Sequence, residues 1–214
     1  ILLPELFIGD QILIYPGGAY TTAYASNFNG MSIPKTYMVW NKLFIMQPKE
    51  FYEQENLSPI IYKYSDVVEV FSSISSLQKI QVLGHPYFGA ILVLDDVVQL
   101  TEKDEFFYHE MLTHVPLMAH PKPERVLILG GGDGGTLRET LKHNSVKTVT
   151  IVEIDHEVVS VAKRFFPKIA EGFDDPRACL VYMDGCKYVE DLENEFDVII
   201  VDGPDPLGPA QNLL

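Results

Sequence analysis

Residues 126–129, 148–153, 178–183 and 198–201 are short, nearly continuous apolar runs, the pattern of parallel strands buried on both faces. Between them, residues 136–142, 156–166 and 187–192 carry apolar positions at helical spacing. Strand and helix in turn predict an α/β fold, a Rossmann-like doubly wound parallel sheet with helices on both faces.

The pattern before residue 121 is different. Residues 60–62, 67–71, 80–83 and 90–94 are β-rich, with turn residues at 86–89 and at Asp95-Asp96, which predicts a small β domain. From Glu102 the periodicity becomes helical. Phe106, Phe107, Met111, Leu112, Val115 and Leu117 form an apolar stripe, Thr101 and Asp104-Glu105 a helix start, and Pro116 lies near the end. Tyr108, His109 and Glu110 fall beside the stripe. In the first fifty positions, strand-like runs at 12–15 and 20–25 flank Pro16-Gly17-Gly18, and Asn27-Phe28-Asn29-Gly30 signals a turn, so this stretch is all-β. The expected division is 1–39, a β-barrel fragment; 40–50, a linker; 51–120, the β domain with its helix; and 121–214, an incomplete nucleoside-binding sheet.

The junction of the first parallel strand and its helix is Gly130-Gly131-Gly132-Asp133-Gly134-Gly135. Glycines there permit positive φ and let a ligand approach the main-chain N–H groups at a helix start. Asp133 decides what kind of ligand, because a carboxylate in that turn repels the pyrophosphate of a dinucleotide. A cationic group fits it better.

Charge supports the same choice. The chain carries 30 acidic against 16 basic residues, a formal net charge of −14. Glu5, Asp10 and Glu50 are balanced by Lys35, Lys42 and Lys49, so the excess lies in residues 51–214. Nucleic acid would be repelled and cationic small molecules attracted. Cys179 and Cys186 make neither a disulfide framework nor a zinc site, and are expected to be buried thiols in a cytoplasmic protein. The histidines lack the spacing of a metal site, so no metal is expected. No run is long and apolar enough to suggest a membrane span or signal peptide. The chain starts at Ile1 and stops in a Pro/Gly stretch, so it is expected to be a piece of a longer protein.

In sheets of this type ligands bind beyond the carboxyl ends of the strands. Those ends carry Asp133, Glu153-Ile154-Asp155, Asp184-Gly185, and Asp202-Gly203-Pro204-Asp205. Carboxylates converging on one crevice call for a cation to offset them. Glu153 follows the glycine loop at about the distance from which an acidic residue takes ribose hydroxyls. Ribose with a cation and no pyrophosphate describes a sulfonium nucleoside. Asp133 would disfavour the carboxylate of S-adenosylmethionine itself and favour a decarboxylated donor.

Thr101-Glu102-Lys103-Asp104-Glu105-Phe106, Tyr108-His109-Glu110, His120-Pro121-Lys122-Pro123, the Gly130 to Gly135 loop with Leu137-Arg138-Glu139, and Asp205-Pro206-Leu207-Gly208-Pro209-Ala210 resemble spermidine synthase and the other polyamine aminopropyltransferases. The resemblance covers residues 51–214. It implies transfer of an aminopropyl group from decarboxylated S-adenosylmethionine, a substrate rather than a cofactor, to an amine such as putrescine. It further implies that Gln78, Tyr108, His109 and Asp133 hold the aminopropyl side, with Gly130 and Gly132 in the donor loop. Glu153 would take the ribose, Ile154 would be a further donor contact, and Asp184 with Gly185 would take the adenine. Asp202 and Asp205 would hold the acceptor, with Asp202 and Tyr108 as the catalytic pair that removes the amine proton. Homodimers or higher homo-oligomers are usual in the family. The sequence departs from it in having Asp202-Gly203-Pro204-Asp205 where Asp-Ser-Ser-Asp or Asp-Ser-Thr-Asp is customary, and in lacking its early tryptophan and Gln-Ala-x-Ser-Leu segment.

Leu3-Pro4-Glu5-Leu6, Gly9-Asp10, Gly18-Ala19-Tyr20-Thr21 and Ala25-Ser26-Asn27-Phe28-Asn29-Gly30 resemble the C-terminal barrel of pyridoxal-phosphate-dependent ornithine/diaminopimelate decarboxylases. That resemblance implies that Tyr20 lies near the phosphate of pyridoxal phosphate in a complete decarboxylase, and that the chain comes from a fusion of two steps of polyamine biosynthesis. The rival readings are a stand-alone aminopropyltransferase with an unusual leader, an S-adenosylmethionine-dependent methyltransferase, and a non-catalytic polyamine-binding remnant.

Overall fold

The computed structural model of the chain describes residues 14–17, 21–24, 49–54, 59–190 and 192–203. The chain divides into two units, residues 1–72 with 81–104 and residues 73–80 with 105–214.

In the first unit β1 (Ile14–Gly17) pairs antiparallel with β2 (Thr21–Tyr24). A separate five-stranded sheet joins β3 (Lys49–Gln54), β4 (Ile61–Ile74), β5 (Lys79–His85), β6 (Gly89–Leu94) and β7 (Val97–Thr101) in chain order. Residues 60–62 and 67–71 are expected as separate runs, but residues 61–74 form a single β4 that contains all of them except Ile60. Asp66 takes a φ of 60°, which a short polar side chain tolerates, and the pairing with β3 slips between Lys49 and Phe51. The interruption is therefore a bulge rather than a turn. Asp95 and Asp96, both at positive φ, make the tight β6–β7 hairpin their sequence predicts. Tyr62, Tyr64, Leu83, Phe88, Ile91 and Val93 form much of this unit's core. Lys49 and Glu50, expected in the linker, open β3, and residues 40–48 lie outside the described residues.

The second unit contains α1 (Glu105–Ala119), β8 (Arg125–Gly130), α2 (Gly135–Leu141), β9 (Thr148–Glu153), α3 (His156–Phe165), β10 (Ala178–Tyr182), α4 (Gly185–Val189) and β11 (Val198–Asp202). The four strands are parallel, in the order β10-β9-β8-β11. The expected strand–helix alternation and parallel sheet are present. Strands are added on one side of β8 up to β10 and on the other at β11, so the direction of winding switches between β8 and β11. That is where a crevice opens at the carboxyl ends of a parallel sheet. Val126, Ile128, Val149, Ile151, Val198 and Ile200 bury one face of the sheet against Leu117 and Leu137.

Three expectations are corrected. The helix expected from Glu102 starts at Glu105, and its buried positions are Glu105, His109, Thr113 and Leu117, so that of the apolar stripe only Leu117 is buried. Phe107, Met111, Val115 and Met118 are exposed, whereas the buried acidic and imidazole groups have charged partners in α2 and the glycine loop. The helix expected at 187–192 spans Gly185–Val189, because Asp184 accepts a hydrogen bond from the Cys186 N–H and caps it earlier. The cysteines are not buried. Cys179 is exposed on β10, at the end of the sheet order, Cys186 is half-buried in α4, and neither is in a disulfide. Among the described residues, no helix is long and apolar enough to cross a membrane.

Candidate active site

The glycine loop brings the ends of β8 and β11 together. Gly130 has a φ of 83°, and a Cβ placed on it would lie 2.0 Å from the Asp202 carbonyl oxygen. Only glycine permits that approach, and the Gly131 N–H then donates to the same carbonyl at 2.8 Å. Asp202 is thereby fixed by its backbone beside the loop that carries Asp133. Its side chain is fixed as well. Oδ1 accepts from the Tyr108 hydroxyl at 2.8 Å and Oδ2 from the Thr136 hydroxyl at 2.6 Å.

Asp133 folds back on the start of α2. Its Oδ1 accepts the Gly135 N–H at 2.7 Å and forms an ion pair with His109 Nε2 at 3.3 Å. Both interactions converge on one oxygen, which leaves Oδ2 as the oxygen available to a ligand. The His109 ring lies directly against Gly135, where a Cβ would meet Cε1 at 2.2 Å. On its other side, His109 Nδ1 is 2.6 Å from Glu105 Oε2. Arg138 grips Glu105 with two nitrogens, at 3.0 and 2.9 Å.

These contacts separate the protonation states of three buried groups. Burial opposes the charge on His109, but the Asp133 carboxylate, with Glu105 and Asp202, overcomes it and pushes the imidazole up to about 10. Burial also opposes ionisation of Asp133, and the charge and hydrogen bond of His109, helped by the Gly135 N–H, hold it below the usual carboxylate range. Asp202 goes the other way. Burial raises it first, and the Asp133 charge second, against the His109 charge and the hydrogen bonds from Thr136 and Tyr108. One side-chain atom from each of His109, Asp133 and Asp202, a ring nitrogen and two carboxylate oxygens, lies within 4.8 Å of the others. Two carboxylates at that separation repel by roughly 3 kcal/mol at an effective dielectric of about 20. His109 offsets Asp133, and Asp202 is left with high proton affinity. The trio has the donor types of a metal site, but both His109 ring nitrogens face carboxylates, so a metal would have to displace a proton that these carboxylates hold.

The other strand ends form a different group. Glu153 is buried and accepts the Asp155 N–H at 2.9 Å, and burial outweighs its backbone hydrogen bonds with Asp155, Gly132 and Ile154 to raise its proton affinity. Gly132 lies beside it, with room for no side chain, since a Cβ would sit 2.7 Å from Glu153 Oε2. Ile154 is exposed. Asp155 caps α3 through the Glu157 N–H, and its second oxygen accepts from Ser75 at 2.6 Å and Gln78 at 3.0 Å. Gln78 is thus bonded at the start of α3. Asp184 caps α4, with Gly185 the first helical residue. Two of the acidic strand ends, Asp155 and Asp184, therefore satisfy helix N-termini, while Asp133 and Asp202 meet across the loop. Tyr20 and Asp205 lie outside the described residues.

The sequence assigns no site role to Glu105, Thr136 or Arg138. Glu105 and His109 are four residues apart on a helix, a spacing that puts them on one face. The apolar residues between them drew attention to the opposite face.

A model of the spermine/spermidine synthase domain matches residues 105–214, more than half of the sequence. The chain belongs to the spermine/spermidine synthase family. A model of the spermidine synthase tetramerisation domain matches residues 56–102. A polyamine aminopropyltransferase of a Hydrogenobaculum species is 54% identical over 168 residues, 78% of this chain and 60% of that protein. Polyamine aminopropyltransferase 1 of Aquifex aeolicus is 55% identical over 163 residues, 76% of this chain and 58% of that protein. The chain thus spans about 60% of the length of these relatives. A spermidine synthase crystallised with the transition-state analogue AdoDATO superposes with a TM-score of 0.72 at 43% identity, covering 76% of this chain and 56% of that one. Spermidine synthase from Thermotoga maritima gives a TM-score of 0.70 at 43% identity, covering 73% and 57%.

Proposed function

We propose that the protein from which this chain comes transfers an aminopropyl group from decarboxylated S-adenosylmethionine to putrescine, giving spermidine and methylthioadenosine. The observation that carries the reading is the pair Asp133 and Asp202, two carboxylates of opposite protonation tendency facing each other at the switch between β8 and β11. A dication with an ammonium and a sulfonium suits such a pair, and a donor carrying its own carboxylate does not.

The reaction is a displacement at carbon. The amine nitrogen bonds to the methylene carbon attached to the sulfonium, the carbon–sulfur bond breaks, and its electrons neutralise the sulfur of the departing methylthioadenosine. A protonated amine has no lone pair, so a base must accept its proton first. Asp202, raised by burial and by Asp133, takes that proton, and the Tyr108 and Thr136 hydroxyls hold its two oxygens in place. Asp133 Oδ2 takes the donor ammonium, with His109 holding Oδ1. Alignment of nitrogen, carbon and sulfur supplies the rest of the acceleration. In the same reading Glu153 holds the ribose, Ile154 contacts the donor, Asp184 and Gly185 hold the adenine, Gln78 the aminopropyl side, and Asp205 joins Asp202 in holding the acceptor.

The reading includes a cytoplasmic location and a homo-oligomer, the oligomer supported by the match to a tetramerisation domain. It includes also a fusion in which residues 1–39 end a decarboxylase that binds pyridoxal phosphate, which rests on the sequence blocks around Tyr20. Incubation of the full protein with decarboxylated S-adenosylmethionine and putrescine should release methylthioadenosine and spermidine in equal amounts, with Asp202→Asn nearly inactive. Methyl transfer from S-adenosylmethionine instead, or donor binding without any transfer, would overturn it.

A further inference from the structure

Glu105 touches no position at which the donor or acceptor is placed above, yet it is buried with a full set of charged partners. His109 approaches Oε2 at 2.6 Å, and Arg138 reaches both oxygens. Arg138 is tied in turn to the buried Glu139, at 2.9 Å through Nε, and Lys142 contacts both oxygens of Glu139. The line Lys142, Glu139, Arg138, Glu105, His109, Asp133 alternates in charge from the surface of α2 to the glycine loop. A buried ion pair is weak evidence for a stabilising role, since its desolvation cost cancels much of the attraction. Its geometry can still fix what it touches.

We infer that Glu105, immobilised by Arg138, is a positioning residue that keeps His109 doubly protonated with Nε2 directed at Asp133, and so presents Asp133 Oδ2 to the donor ammonium. With Nδ1–H committed to Glu105, the ring is oriented and Nε2–H has one direction, toward Asp133 Oδ1. The groups facing His109 are Glu105 and Tyr108 from α1, Asp133 from the loop and Asp202 from β11, while Gly135 of α2 provides the space for the ring. Without the Glu105 charge, the balance between imidazolium and buried environment moves toward the neutral ring. A neutral His109 could present a lone pair to Asp133, and the carboxylate would turn away from it. The role rests on the proposed donor site, but the state of His109 can be read without turnover.

The test uses nitrogen-15 NMR of the histidine rings in the full protein, with donor kinetics on the same samples. At about pH 8, where an ordinary imidazole is neutral, both His109 nitrogens should remain protonated in the parent protein. Glu105→Gln should give a neutral or mixed-tautomer ring, and raise the donor KM about tenfold while kcat changes less than about threefold. Glu105→Asp, which keeps the charge, should restore the doubly protonated ring at least in part. A neutral His109 in the parent protein overturns the inference whatever the variants do. So does a Glu105→Gln protein with His109 still doubly protonated, or one whose loss is all in kcat. Failure of the parent protein to transfer an aminopropyl group would defeat the proposed function while leaving the NMR result to decide the coupling of Glu105 to His109.

Discussion

The His109 ring fills the space that a side chain on Gly135 would need: a Cβ on the glycine would lie 2.2, 2.3 and 2.5 Å from three atoms of the imidazole. The first residue of α2 is therefore glycine because of a side chain on α1. Gly135→Ala must displace a ring whose two nitrogens are held by Glu105 and Asp133. The expected cost is about 1–3 kcal/mol, as for overpacking of a core, with loss of donor affinity. Gly185→Ala is the control, since its Cβ would meet Leu129 at 3.5 Å, an ordinary contact, at the start of α4. Its stability should be unchanged or slightly higher. Urea unfolding of both variants checks the pair, and equal effects would contradict the steric argument.

Tyr108→Phe removes one of two hydroxyls bound to Asp202. Because that hydrogen bond favours the carboxylate, its loss should raise the already raised proton affinity of Asp202. The acidic limb of the kcat/KM profile should move to higher pH, with a fall of about tenfold at neutral pH. Thr136→Val, which strips the other oxygen, should move the limb the same way. Profiles that keep their shape while falling in height would show that the hydroxyls do not act through Asp202.

Much of this site was legible in the sequence, for identifiable reasons. The glycine loop and the strand ends announce themselves because parallel strands are continuous apolar runs and their carboxyl ends must carry any polar chemistry. What stayed hidden was the buried face of α1. Hydrophobic periodicity assigns the core to Phe107, Met111 and Val115, which are exposed, and misses Glu105 and His109, whose burial depends on Arg138 and Asp133 from distant parts of the chain. A polar residue can be placed in a core only when its partner is known, and the partner is fixed by the fold. Likewise the strand-end pattern that picks out Asp155 and Asp184 does not show that each also caps the helix that follows.

The paired shifts of His109 and Asp133 predict how stability varies with pH. The imidazole is raised in the folded state to about 10, so its contribution is complete below its unfolded pKa of about 6.5 and disappears as pH rises through the folded value. Asp133 is lowered, so its contribution is present above the unfolded carboxylate pKa and is lost as pH falls through the folded one. Resistance to urea should thus fall steadily between about pH 7 and 10. His109→Gln should flatten that slope while lowering the plateau. A parent protein equally stable at both ends of the range would mean that His109 is neutral in the fold.

Asp133→Asn separates charge from shape at the proposed donor site. The amide keeps the size of the carboxylate and can still accept the Gly135 N–H, but it neither attracts an ammonium nor repels a carboxylate. Binding of decarboxylated S-adenosylmethionine should weaken, and binding of S-adenosylmethionine should weaken less or improve, because a like-charge contact is removed. The ratio of the two affinities should fall by at least about tenfold, which is about 1.4 kcal/mol. Isothermal titration of parent and variant with each compound measures it directly. An unchanged ratio would place the discrimination elsewhere, leaving Asp133 as the partner that holds His109 in its cationic form.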